Sequence, residues 1–207
     1  MVRLLPMLVA GGMILLAGRA LAAEVTPPDA LVKMVTLEVL EIVSKDKEIQ
    51  AGNVQKVIGL VEEKVLPHFS FESMTALAMG VNWRKAAPEQ KRRLVHAFRT
   101  LLVRTYASAI TSYRDEKFEF LPLRAKPADT DVTVKVRVIR PGRQAVAIDY
   151  DMEKTARGWK CYNMYVAGVS LVLNYRTEFA AEIRRNGIDG LVGALEAKNQ
   201  KLEAAAK

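Results

Sequence analysis

The chain has 207 residues, of which 50% are hydrophobic and 26% charged, and its formal net charge is +8. This length suits one globular domain with a sizeable core, and the composition excludes an intrinsically disordered chain. One cysteine and two histidines exclude an internal disulfide, a four-cysteine zinc site and a histidine-rich metal centre. The sequence also lacks the glycine-rich nucleotide-binding motifs and the serine-hydrolase and zinc-protease motifs.

The first 22 residues are organised as a secretory signal peptide. Arg3 provides a positive charge, residues 4–17 form an apolar run, and Ala20-Leu21-Ala22 has the small residues of a cleavage site. A retained membrane anchor is the alternative, but the run is shorter than the roughly 20 residues that a membrane helix needs. We therefore expect an exported protein cleaved near Ala22, for which nucleic acid is an unsuitable partner.

Residues 23–87 are predicted to be mainly helical. Thr26-Pro27-Pro28-Asp29 marks a helix start, because a hydroxyl can cap the helix and proline is tolerated in its first turn. The apolar stripe that follows is unusually wide. Gly52-Asn53 breaks the chain, a second helix runs on to Pro67, and a short helix is predicted over residues 71–79.

The longest predicted helix begins at Pro88 and ends near Ser112, and after it the apolar period changes from 3.6 to 2. Strands are predicted over residues 118–121, 131–140, 144–155 and 159–166. Turn residues separate the last three strands, so the spacing predicts an antiparallel meander with one covered face.

A further helix is predicted from about residue 170 to Asn186-Gly187, a helix-ending pair, and Asp189 can cap the last helix. From Lys198 onward the tail has almost nothing to bury. The fold class is therefore α+β: a curved four-stranded antiparallel sheet wrapped by the long helix, with an added helical subdomain. Residues 23–197 would form this single domain, followed by a tail over residues 198–207.

The sequence shows no evident catalytic set. His68 and His96 are predicted to lie on the surface, and Asp149 and Asp151 share the solvated face of a strand. Cys161 has no histidine near it in the sequence and is predicted to be a small buried hydrophobic residue. An isomerase or hydrolase of a cone-shaped fold, acting on an apolar molecule, remains the alternative if Asp149 points inward.

Basic residues gather on or just before the long helix and on the polar side of the hairpin that the second and third strands form. They are Lys85, Lys91, Arg92, Arg93, Arg99, Arg104, Lys135, Arg137, Arg140 and Arg143. These side chains either form a solvated face or dock onto an acidic partner or lipid phosphate. An adaptor that binds only proteins through this face is a third possible function.

The stretch from Trp159 to Phe179 is the most distinctive part of the sequence. Its Gly-Val-Ser-Leu-Val over residues 168–172 and its Asn174-Tyr175-Arg176 resemble the MlaC family, periplasmic phospholipid-binding proteins also known as toluene-tolerance proteins. The aromatic turn over residues 69–74 and the Asn-Gly-Ile-Asp at residues 186–189 fit the same family. The resemblance extends from Pro28 to about Leu195. The chain departs from the family at Cys161, Asn163 and Ala167, where valine, aspartate and glutamate are usual.

The resemblance implies a lipid carrier rather than an enzyme, with a fold similar to nuclear-transport-factor-like cones. Such proteins hold the acyl chains of a phospholipid inside and leave the head group at the mouth. They carry lipid between an inner-membrane ABC-transporter complex and an outer-membrane lipoprotein–porin complex. They need no metal or nucleotide, so phospholipid is cargo and not a cofactor. We expect a monomer, since a carrier must visit both complexes.

The lining of the implied cavity is predicted from the inward positions around these motifs. The predicted lipid-binding residues are Phe71, Met74, Phe98, Leu102, Tyr106, Val134, Val136, Ile148, Tyr150, Tyr162, Met164, Val169, Val172 and Tyr175. Periodicity alone does not distinguish a hollow interior from a filled one.

Overall fold

The computed structural model describes residues 25–110 and 116–205. The predicted signal peptide and the predicted helix end near Ser112 lie outside these residues. The helices are α1 (Pro28–Lys45), α2 (Lys47–Gln50), α3 (Val54–Leu60), α4 (Phe71–Met79), α5 (Pro88–Ile110) and α6 (Arg176–Ala205). The strands are β1 (Lys117–Phe120), β2 (Asp131–Ile139), β3 (Val146–Thr155), β4 (Gly158–Val166) and β5 (Val169–Ser170). None of the helices in the described ranges is both long and apolar enough to cross a membrane.

The strands form one open antiparallel sheet in the order β1-β2-β3-β4-β5, each paired with the next along the chain. Valines alternate along β2 between exposed polar neighbours, so one face of the sheet is covered. The α+β class and the antiparallel meander are thus confirmed, but the sheet has five strands and not four.

The fifth strand arises from a two-residue turn. Ala167 and Gly168 have φ of 51° and 80°, and this reversal pairs Tyr165 with Ser170. A two-residue strand is too short to show any alternation. The helix predicted from about residue 170 therefore begins later, with a 3-10 turn over Leu173–Tyr175 and α6 from Arg176.

Strand β4 contains a bulge. Asp151 of β3 pairs with Asn163 while the next residue, Met152, pairs with Cys161, so Tyr162 is an extra residue. A bulge shifts the in-and-out alternation by one position. Cys161 and Met164 therefore face the same side of the sheet, although they are three residues apart.

The described core consists of three apolar clusters. The helical cluster joins α4, α5 and α6 and includes Met74, Leu94, Phe98, Leu101, Leu102, Val172, Tyr175, Phe179 and Leu191. The sheet cluster joins α1 to the covered face of the sheet and includes Leu31, Val32, Val134, Val136, Ile148, Met152, Trp159 and Cys161. The N-terminal cluster includes Val43, Ile49, Val57, Val61, Val103 and Ala107.

The helix that packs on the sheet is α1, since Leu31 and Val32 share a cluster with the sheet valines. The buried residues of α5 belong instead to the helical and N-terminal clusters. The sequence analysis named only the long helix as the cover of the sheet, and the structure adds α1. The wide apolar stripe of α1 contacts both the sheet and the N-terminal cluster.

The first helical segments differ locally from the prediction. The N-cap of α1 is Pro27, with no side-chain hydrogen bond, so Thr26 does not cap this helix. Helix α3 continues as a π-helical turn over Val61–Val65 and a 3-10 turn over Leu66–His68. Pro67 cannot donate a backbone N–H, so regular α-helical geometry does not continue through it.

Helix α6 is interrupted at Gly187, whose φ of 71° and ψ of −176° lie outside the helical region. Asp189 accepts a hydrogen bond from Gln90 Nε2 at 3.0 Å, which links α6 to α5. The helix then continues to Ala205. Asn199 is buried and its Nδ2 donates to the Ala97 carbonyl at 2.9 Å. The prediction that residues beyond Lys198 bury almost nothing is therefore wrong for this part of α6.

Candidate functional site

A cavity of about 410 Å³ lies where the three core clusters meet. The helical cluster contributes Met74 and Leu102 to its wall, and the sheet cluster contributes Leu31 and Met152. Val61 comes from the N-terminal cluster. The three clusters are separate because this cavity lies between them. We call this space the central cavity.

Half of the predicted lining residues do line the central cavity. They are Phe71, Met74, Leu102, Tyr106, Ile148, Tyr150 and Met164. They come from α4, α5, β3 and β4, so the structure brings together residues that are far apart in the sequence.

Three predicted residues are buried in the filled helical cluster instead. Phe98 packs edge-on against Tyr175 and Phe179, with ring centroids 5.1 Å away in each case. Val172 is fully buried in the same cluster. The rings of Tyr175 and Phe179 occupy the space that the sequence analysis assigned to a ligand.

The other four lie elsewhere for reasons of strand geometry. Val134 and Val136 are fully buried in the sheet cluster, where side chains and not a hollow cover them. Tyr162 is the bulge residue, and its hydroxyl donates to the Asp131 carboxylate at 2.9 Å. Val169 stands on the short β5 and is 50% exposed.

The sequence analysis missed most of the wall. The missed residues are Leu31, Val32, Val35, Thr36, Val39, Leu40, Val61, Val65, Leu66, His68, Phe69, Val103, Ala107, Ala109, Phe118, Met152, Cys161, Val166 and Leu171. Helix α1 alone supplies six of them. The wide apolar stripe of α1 was the available signal, because a stripe that covers a hollow as well as the core needs extra width.

His68 is half-buried and lies in the wall of the central cavity, a position that the sequence analysis did not foresee. Partial burial lowers the pKa of His68, and the nearby positive charge of Lys160 lowers it further, while Glu38 acts in the opposite direction. His96 is exposed on α5, as predicted.

Cys161 is buried in the wall, as predicted for a small hydrophobic residue. Its Sγ donates to the Asn163 carbonyl at 3.1 Å. Burial raises the pKa of the Cys161 thiol to about 12. A thiol with so high a pKa is protonated at neutral pH and is a poor nucleophile.

No aspartate or glutamate is among the described residues of the cavity wall. Asp149 pairs with Lys135 across the outer face of the sheet, and Asp151 accepts hydrogen bonds there from Thr133 and Asn163. The condition that favoured an enzyme, an inward Asp149, is not met. The described residues also contain no group of three potential metal ligands among their histidines, cysteines and acids.

The basic residues of α5 are largely paired with acids. Arg93 contacts Glu196 at 3.1 Å, and Arg99 contacts Glu62 at 3.2 Å. Arg92 and Arg104 also have carboxylate partners. These pairs reduce the basic character that the sequence suggested for this face.

The MlaC protein family matches residues 33–197 of the chain. The toluene tolerance protein ttg2D of Pseudomonas putida is 27% identical over 199 residues, which is 92% of each chain. The intermembrane phospholipid transport system binding protein MlaC of Haemophilus influenzae is 22% identical over 140 residues, covering 66% of this chain and 65% of that protein.

A solved structure is also similar to this fold. The phospholipid-binding protein of Ralstonia solanacearum, determined in complex with a phospholipid, superposes with a TM-score of 0.78 and is 39% identical. The match covers 84% of this chain and 98% of that protein. The two chains therefore share nearly the whole of the domain.

Proposed function

The chain belongs to the MlaC family, and on this premise we propose that it is a periplasmic carrier that binds phospholipid by its acyl chains in the central cavity. One observation carries the proposal: the wall of a cavity of about 410 Å³ is apolar on almost every side. This volume is within the range of about 300–1,000 Å³ found for small-molecule sites. The similar protein of Ralstonia solanacearum, 39% identical, binds a phospholipid.

Transfer of lipid through water requires such a site. Burying a methylene is worth about 0.8 kcal/mol, so two acyl chains of roughly 15 methylenes each are worth about 24 kcal/mol. A soluble carrier must therefore surround the chains with apolar groups. The head group can stay in water, so we expect loose head-group selection. Loading and release require the wall to open, since the chains cannot pass through packed side chains.

The proposed route follows from the family and from the predicted export signal. The mature protein would begin after Ala22 and act in the periplasm as a monomer. It would take phospholipid from one membrane complex and deliver it to another, an inner-membrane ABC-transporter complex and an outer-membrane lipoprotein–porin complex. Exposed basic residues such as Lys85 and Arg143 would then contact acidic surfaces on these complexes. A likeness of the fold to nuclear-transport-factor-like cones is part of the same proposal.

Catalysis is not part of the proposed function. Among the described wall residues His68 is the only strong general-base candidate, and no carboxylate shares the cavity with it. A hydrolase or isomerase would need a second group to orient or complement that imidazole. Phospholipid is accordingly cargo and not a cofactor.

Native mass spectrometry tests the proposal directly. The mature chain is purified from a bacterial periplasm without detergent, as wild type, Ile148→Glu and Ala147→Glu. Ile148 lines the central cavity, whereas its neighbour Ala147 is exposed on the other face of β3. We expect a glycerophospholipid mass increment on the wild type and on Ala147→Glu, and none on folded Ile148→Glu. Stoichiometric lipid on Ile148→Glu, or a bare wild-type mass, would contradict the proposal.

A further inference from the structure

One position in the described wall of the central cavity is ionisable near neutral pH. His68 is the only described wall residue whose side chain readily becomes a cation near neutral pH. The remaining wall is aliphatic, aromatic or sulfur-containing, with hydroxyls on Thr36, Tyr106 and Tyr150. An amphiphile in this cavity therefore meets an ionisable nitrogen at one place in the wall.

Charged side chains surround His68 outside the wall. Lys160 Nζ donates to the Pro67 carbonyl, which holds this ammonium group beside the 3-10 turn that carries His68. Lys64 Nζ forms an ion pair with Glu38 at 2.9 Å, and these two side chains are 32% and 43% exposed. The charge of Glu38 is thus compensated, and both side chains are in contact with water.

The wall near the C-terminal end of α5 has a different character. Ala109 is exposed there on the last turns of α5, and Phe118, Val166 and Leu171 come from β1, β4 and the segment after β5. None of these four side chains is charged. These four side chains therefore offer no charged partner to an anionic group placed among them, and an unpaired anion is unfavourable in an apolar setting.

We propose that the phosphodiester of the bound lipid lies at the His68 end of the central cavity, where the His68 imidazole and the Lys160 ammonium donate to its oxygens. This inference rests on the proposed function and adds an orientation to it. Charge-assisted hydrogen bonds to phosphate are the strong ones among polar contacts. The acyl chains then extend into the apolar part of the cavity. The bond is to the phosphodiester common to all glycerophospholipids, so it does not select among head groups.

Two lipids with the same acyl chains, one with a phosphate and one without, distinguish the contribution of the phosphate contact from that of acyl-chain burial. Fluorescently labelled phosphatidylglycerol and diacylglycerol are presented from vesicles to the wild type, His68→Phe and Lys160→Met. The matched controls are His96→Phe and Lys135→Met, both at exposed positions away from the cavity wall. Thermal unfolding by circular dichroism verifies that every variant is folded.

We expect His68→Phe and Lys160→Met each to weaken phosphatidylglycerol binding about tenfold, as for the loss of a hydrogen bond to a charged group. Diacylglycerol binding should change less than about twofold, and the two controls should behave as wild type. Equal losses for both lipids, or no loss for either, would overturn the inference. Failure of the wild type to bind both lipids would instead contradict the proposed function.

Proton NMR of the two histidines provides a second test that needs no variant. His96 is an internal reference because it is exposed and is not among the described residues of the cavity wall. A phosphate beside His68 favours the imidazolium and raises the pKa of His68, whereas an acyl chain alone desolvates the ring and lowers it. Glu38, Lys64 and Lys160 act equally in both samples. A pKa of His68 that is higher with phosphatidylglycerol bound than with diacylglycerol supports the inference, and an equal or lower value overturns it.

Discussion

Two neighbouring leucines on α5 separate the filled region of the molecule from the hollow one. Leu101 is fully buried in the helical cluster, where the Phe98 ring packs edge-to-face with the rings of Tyr175 and Phe179. Leu102 is nearly as buried, but its side chain also borders the central cavity. The rings of Tyr175 and Phe179 fill the first region and are not among the described wall residues of the second. Burial of a single residue therefore does not reveal whether the space beside it is occupied.

The largest expected contrast is in stability. Leu101→Ala should lower the free energy of unfolding of the lipid-free protein by about 2–5 kcal/mol, because it opens a new cavity in a packed cluster. Leu102→Ala should cost no more than about half of that, since this side chain already lacks neighbours on one side. Denaturant unfolding of both variants measures the difference. Equal costs would mean that the central cavity collapses around its wall when lipid is absent.

Replacing a smaller side chain by a larger one should show the same difference between filled and hollow regions within the sheet. Val136 and Ile148 are paired across β2 and β3, but only Ile148 lines the central cavity. Val136→Phe should cost about 1–3 kcal/mol through overpacking. Ile148→Phe should cost less than about 1 kcal/mol, because the ring can extend into the hollow, and it should reduce lipid uptake. Unfolding curves and mass spectrometry of bound lipid measure the two effects, and a larger loss of stability in Ile148→Phe would contradict them.

The pH dependence of stability that Cys161 causes should show whether the central cavity is dry or filled with water. Burial raises the pKa of its thiol to about 12, so the folded state disfavours the thiolate that forms in the unfolded chain from about pH 8.5 upward. Stability is therefore retained below pH 8.5 and falls above it, by up to about 1.4 kcal/mol per pH unit. Relative to Cys161→Val, the wild type should lose stability between pH 8.5 and 10. The absence of this difference would mean that water enters the cavity and solvates the thiol.

The smallest expected effect is on the filled side, at the end of α6. Asn199 donates to the Ala97 carbonyl of α5, and Arg104 donates to the Asn199 carbonyl at 2.9 Å. Asn199→Ala should cost about 1 kcal/mol, the net worth of one buried hydrogen bond. Lys201→Ala, at an exposed position two residues further on, is the matched control. A cost below that of the control would place this end of α6 outside the cooperative fold.

Local sequence patterns predicted helices and strands well wherever residues close in the sequence determine the secondary structure. The helix over residues 71–79 and the alternation of β2 follow from periodicity alone. Tyr162 and Met164 show the limit, because both were predicted inward and a bulge turns one of them outward. The bulge depends on how β4 pairs with β3, which no local pattern records.

The site was less predictable than the fold. The sequence showed that the apolar stripe of α1 is wide, but only the structure shows that Val35 and Val39 face the central cavity. The same holds for His68, whose loop position in the sequence indicated the surface and whose place in the fold is the cavity wall. In each case the residue type and its spacing stay the same whether the facing space is water, side chain or void.

The sequence by itself determined the α+β class, the antiparallel order of the main strands and the resemblance to the MlaC family. These depend on hydrophobic periods, on turn residues and on short motifs, all of which are properties of chain neighbours. The tertiary structure decided that α1 covers the sheet, that α6 fills the space beside Phe98 and that a cavity remains between the three clusters. A cavity is the volume left when distant elements meet, so it is fixed by their packing and not by any one of them.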